Sequence, residues 1–161
     1  MKDAIGGTVS LMFIAVFLLF VGGYLAFSVS YNKAFRVKNK IITLLEQHGT
    51  FESASSDIDN YIKQVGYNAA EPNVNCEYYP SGVKYACKSG YCVAWVDTTD
   101  DTSTDEDNTN SGYFKVVTAV NIDVPIINKV MPYLRIFFVS GDTITIYDEE
   151  NADVGLNDVC N

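Results

Sequence analysis

The chain has 161 residues, 48% apolar and 19% charged, with a formal net charge of −9, a length that suits one folded domain plus an appendage. The charge is divided: residues 1–40 hold five Lys/Arg (Lys2, Lys33, Arg36, Lys38, Lys40) against Asp3, whereas residues 41–161 hold six against nineteen Asp/Glu. An acidic domain repels phosphate backbones, which argues against nucleic-acid binding, and the basic cluster directly after the apolar opening is placed to meet anionic lipid headgroups.

From Gly7 to Tyr31 there are 25 residues without a charge. A helix needs about 20 to cross the hydrocarbon core, and a secretory signal has a shorter apolar region of roughly 7–15. A retained transmembrane helix is therefore expected over about residues 7–31, after a short leader at 1–6. The helix does not stop at the membrane surface. Ala34, Val37, Ile41, Leu44 and Leu45 recur at three- and four-residue steps and draw one apolar stripe. Lys33, Arg36, Lys40 and Glu46 fall mostly off it, and Gly49 is a natural C-terminal stop. The reading is one continuous helix from about residue 8 to 47 within a 7–48 segment, with its second half packed on the domain that follows. Gly22-Gly23, midway along the apolar half, reads either as a close-packing position or as a soft point.

Residues 49–161 are then a globular extracytoplasmic domain. Ser56 with Asp59 suggests a capping box, Ile58, Tyr61, Ile62 and Val65 give a second helix one apolar face, and Gly66 ends it. "CEYYPSGVKYAC" reads as a hairpin turning at Pro80-Ser81-Gly82, and "YCVAWV" (91–96) as another strand. The polar run 97–112 reads as a solvated loop. Its acids (Asp97, Asp100, Asp101, Asp105, Glu106, Asp107) lack the spacing and glycine of an EF-hand. "YFKVVTAVNIDV" (113–124) is a long strand, "LRIFFVS" and "TITIYDEE" read as a final hairpin about Gly141-Asp142, and the tail is loop-like. Two helices followed by a mainly antiparallel sheet make the class α+β.

Cys76, Cys87, Cys92 and Cys160 all lie beyond the apolar helix, an even number that suggests two disulfides in an oxidising compartment. The hairpin about Ser81-Gly82 favours Cys76–Cys87 with Cys92–Cys160; Cys87–Cys92 with Cys76–Cys160 is the rival. The absence of C-x-x-C and the single histidine, His48, argue against zinc. His48 reads as a partner of the helix C-terminus, and no motif of a hydrolase, kinase or nucleotide-binding enzyme is present. No cofactor and no catalytic residue are expected. The basic residues after the helix would place the domain in the cytoplasm by the positive-inside rule, and the cysteines place it outside; the cysteines are given the greater weight.

The opening "AIGGTVSLMFIAVFLLFVGGYLAF", the helix pair "AFRVKNKIITLLEQHG" and "IDNYIKQVGY", and "VVTAVNIDVPIINKVMPYLRIFFVSGDTITIY" (116–147) resemble the TadE/TadF-like, type IV pilin-like pseudopilins of tight-adherence pilus systems. The resemblance implies a membrane-anchored structural or assembly component of a pilus or envelope machine, partnered by the bilayer, by other pilin-like subunits or assembly proteins, and by its own copies. Pilin-like helices usually carry an early Glu. Here Ser10 and Leu11 occupy that region, which favours a minor component over a repeating fibre subunit. The small residues Gly6, Gly7, Ser10, Gly22, Gly23 and Ala26 are the candidate helix-packing positions. The alternative is a single-pass anchored binding or sensor domain with the helix as a plain tether. A third reading, a thiol oxidoreductase using Cys87 and Cys92, ranks below both.

Overall fold

The computed structural model describes residues 2–67, 82–88, 90–98, 110–121, 136–148 and 153–159. Its first element, α1, runs without interruption from Lys2 to His48, on the order of 70 Å at about 1.5 Å per residue. It starts some residues before the expected boundary and takes in the stretch read as a leader. Gly49 ends it at φ 72, its N–H bonded to the Leu45 carbonyl at 2.8 Å, as a left-handed C-terminal glycine does.

The second helix, α2, spans Phe51–Val65. It starts five residues before the expected capping box. Its N-cap is Thr50, in extended conformation and without a side-chain cap bond to the backbone, and the Thr50 and Ser53 hydroxyls contact each other. The Ser56/Asp59 capping box is thus overturned: both residues lie inside the helix, and Asp59 is used elsewhere, as described below. Gly66 closes α2 at φ 60, with its own N–H and that of Tyr67 returning to Lys63 and Ile62.

Among the described residues six strands follow: β1 (Lys84–Lys88), β2 (Tyr91–Asp97), β3 (Asn110–Asn121), β4 (Ile136–Asp142), β5 (Ile146–Asp148) and β6 (Asp158–Val159). The order is β4-β3-β2-β1-β6, with β5 also beside β3, and every pairing is antiparallel. This bears out an α+β chain with an antiparallel sheet. The hairpin about Gly90 (φ 89) joins β1 to β2, and β2–β3 is a second hairpin whose strands reach into the acidic run, with Asp97 opposite Gly112. The long strand therefore begins at Asn110 rather than at Tyr113. The rest of the acidic run lies outside the described residues.

Two further expectations are corrected. The expected Cys76–Cys87 hairpin is replaced by β1 pairing with β2 and, at Lys84 and Tyr85, with β6; residues 76–81 lie outside the described residues. The tail read as a loop thus supplies a short strand. Nor do β4 and β5 form a hairpin. Both run along the same edge of β3, with Lys115 opposite Asp142 and Gly112 opposite Ile146. Three residues, 143–145, oppose two, 113–114, which is a β-bulge. Thr143 closes it: its N–H donates to the Phe114 carbonyl and its hydroxyl accepts from the Phe114 N–H, both at 2.9 Å. The extra residue, Ile144, stands out into solvent, and its N–H donates to Glu46 Oε1 at 3.1 Å.

The core forms where the second half of α1 lies on the sheet. Ala34, Val37, Ile41, Leu44 and Leu45 are all buried, as the stripe requires, against Tyr91, Val93, Phe114, Val116 and Val120, with Phe51, Ala54 and Ile58 of α2. Trp95 meets Phe114 edge-on with centroids 4.8 Å apart, and it occupies the space a side chain at Gly112 would need. On the other face of the sheet, Val83, Ala94 and Val117 form a second buried cluster.

Candidate functional site

The feature that sets this molecule apart from an ordinary small α+β domain is α1 itself. From Gly7 to Gly22 every residue is exposed, including Leu11, Met12, Phe13, Phe17 and Phe20. The most apolar 18-residue stretch of the helix has no buried residue. So large an apolar surface is not stable in water and marks a membrane or protein contact. By length and composition α1 can cross a membrane. The same helix, about three turns later, is core on one face. The change is graded: Gly23, Ala26, Phe27 and Ser30 are half-buried on the side that continues the stripe, while Tyr24, Leu25 and Val29 remain exposed.

The candidate packing residues do not share one face. At about 100° per residue, Gly6, Gly7 and Ser10 fall on one side of α1 and Gly22, Gly23 and Ala26 on nearly the opposite side. Of these, Gly7, Ser10 and Gly22 are exposed, and Gly22 has open space where a Cβ would be. Gly23 and Ala26 are half-buried, on the side of α1 that continues the stripe. The helix passes through Gly22-Gly23 without a break.

Where the helix leaves its bare half, its basic residues divide into two kinds. Lys33 Nζ donates to the Gly66 carbonyl at 2.8 Å, at the C-terminal end of α2, where a cation is favoured. Lys38 is buried, with Nζ 3.4 Å from the Ser140 carbonyl and 4.5 Å above the Phe35 ring. Charge alone argues for an exposed Lys38, yet it borders the stripe beside Ile41 and Leu45, and its long stem lets it stay buried there. Arg36 is exposed and Lys40 half-exposed. Phe27, Tyr31 and Phe35, four residues apart, stack in a ladder with centroids 6.0 and 6.3 Å apart.

Polar contacts also tie the domain together. Asp59 on α2 accepts from Lys88 Nζ at 2.8 Å and from the Tyr91 hydroxyl at 3.3 Å, anchoring α2 to the β1–β2 hairpin. Burial, and then the Asp59 charge and hydrogen bond, push Tyr91 well above the usual tyrosine range. The Tyr67 hydroxyl donates to the carbonyls of Ala119 and, at 3.4 Å, of Gly90, and burial raises its pKa to about 12. His48 at the end of α1 lies 3.2 Å from Asp57 across the turn to α2 rather than on the end of its own helix.

Cys87 and Cys92 form a disulfide. This overturns the favoured Cys76–Cys87 and Cys92–Cys160 pairing. The reason is register: Cys87 stands directly opposite Cys92 across the Gly90 turn, with Cα atoms 4.1 Å apart, the close kind of antiparallel pair. Cys76 and Cys160 lie outside the described residues. Among the described residues no three His, Cys, Asp or Glu side chains come together as a metal site.

Comparison with family models, with curated proteins and with solved structures finds no match to this chain.

Proposed function

We propose that the chain is a membrane-anchored assembly component, a TadE-like minor pseudopilin of a pilus or related envelope machine, with its sheet domain outside the membrane. The observation that carries this reading is the two-part α1: every residue of Gly7–Gly22 is exposed, and between Ala34 and Leu45 one face of the same helix (Ala34, Val37, Ile41, Leu44, Leu45) is core. A plain tether would leave its domain through a linker. Here the span and the main core helix are one element, so a force or contact on the bare half is transmitted directly to the sheet. That suits a part that acts by packing its helix among other helices. The Cys87–Cys92 disulfide supports an oxidising location. The engagement of Lys33 and Lys38 within the fold supports discounting half of the basic cluster as an orientation signal.

Labelling intact cells with a membrane-impermeant thiol reagent tests the orientation. The expected result is no labelling until an impermeant reductant is added, after which half-buried Cys87 reacts. Free thiols that react only after lysis would place the domain in the cytoplasm and end the pseudopilin reading.

A further inference from the structure

We infer that Arg36 and Lys40 form an anionic-lipid site, holding phospholipid headgroups at the point where α1 leaves the bilayer; this rests on the membrane-anchor part of the proposed function. Of the four cations that follow the apolar run, Lys33 and Lys38 are committed to the carbonyls of Gly66 and Ser140. Among the described residues Arg36 and Lys40 make no hydrogen bond or ion pair. They stand one turn apart, off the buried stripe, in a chain whose net charge is −9. Such a pair of free cations is not needed for the fold.

Their height on the helix fits the headgroup layer. If Tyr31 ends the hydrocarbon span, Arg36 stands about 7–8 Å above it and Lys40 about 13–14 Å, at about 1.5 Å per residue. The polar layer on each side of the hydrocarbon is roughly 5–8 Å thick. Side chains on a helix lean toward its N-terminus, here toward the lipid, and Lys and Arg extend their charged ends to the interface. The Phe27–Tyr31–Phe35 ladder marks the same level, as interfacial aromatics do. No spacer separates the domain from the end of the apolar run: Phe27 already packs against the core, while Val29 and Tyr31 of α1 stay exposed.

The test uses the full chain reconstituted into phosphatidylcholine vesicles that carry spin-labelled phosphatidylglycerol or spin-labelled phosphatidylcholine. Incorporation is checked first by resistance to alkaline carbonate. The expected result is a preference for phosphatidylglycerol, on the order of five-fold for each cation at low salt. It should weaken in high salt and fall toward unity in the Arg36→Gln/Lys40→Gln variant. Lys115→Gln, which removes a charge from the sheet, should leave the preference intact. An incorporated wild-type chain with equal association for both lipids, or a double variant with undiminished preference, overturns the inference and leaves the anchor standing. A chain washed out by carbonate refutes the anchor, and the inference with it.

Discussion

At the residue scale, a few side chains decide how closely the layers approach. A Cβ at Gly141 would stand 2.8 Å from Lys38 Nζ and 3.1 Å from Ile42 Cδ1. Gly141→Val should therefore displace Lys38 from the Ser140 carbonyl and destabilise the domain by about 1–3 kcal/mol. Combined with Lys38→Ala, the loss measured by denaturant unfolding should be less than the sum of the two single losses. Tyr67 and Tyr91 give the fold an alkaline limit. Both hold their protons in the folded state above the pH near 10 at which the unfolded chain releases them. The unfolded state then binds fewer protons than the native state, so stability is full below pH 10 and falls as pH rises, by up to about 1.4 kcal/mol per pH unit for each tyrosine. For Tyr67 that loss runs to pH about 12. Asp59→Asn removes the charge that helps to raise Tyr91, and ultraviolet titration should show that tyrosine ionising at lower pH while burial keeps it above 10. The Cys87–Cys92 bond closes a very short loop. Replacing both by Ser should cost only about 2 kcal/mol, with the hairpin intact at the Gly90 turn.

At the scale of elements, α1 and α2 were legible because their signals are local and periodic. Ala34, Val37, Ile41, Leu44 and Leu45 form one stripe in the sequence, and all are buried; Gly49 and Gly66 stand where stops are expected, and both are left-handed. Ile41→Ala should accordingly lose about 2–5 kcal/mol in unfolding, whereas Arg36→Ala on the exposed side should change stability by less than about 0.5 kcal/mol. The sheet was less legible, because register is decided by partners far along the chain. "LRIFFVS" and "TITIYDEE" alternate as a hairpin would. Yet β3, at 12 residues, is long enough to pair with both in succession, and the bulge at Thr143 is set by Phe114 rather than by any local turn residue. The cysteine pairing failed for a similar reason: Gly82 and Gly90 both have positive φ, and the sequence offered no means to choose the turn across which Cys87 would face its partner. The capping box misled because Asp59 is drawn to Lys88 and Tyr91 on the hairpin instead of to its own helix.

At the scale of the whole molecule, the apolar half of the candidate site could be read from composition, since Gly7–Tyr31 has no charge. What composition does not show is how far down α1 the domain reaches: Phe27 packs against the core, whereas Gly7, Ser10 and Gly22 are exposed. On the proposed function the bare half of α1 is a surface for other helices rather than for lipid alone. The direct measurement is photo-crosslinking in the native membrane from a probe placed at Phe13 or Phe17, both exposed. The expected result is discrete protein–protein adducts that vanish when residues 7–22 are exchanged for an unrelated apolar span of equal length, with membrane anchoring unchanged. Adducts to lipid alone from both positions would contradict it and leave the helix a simple anchor.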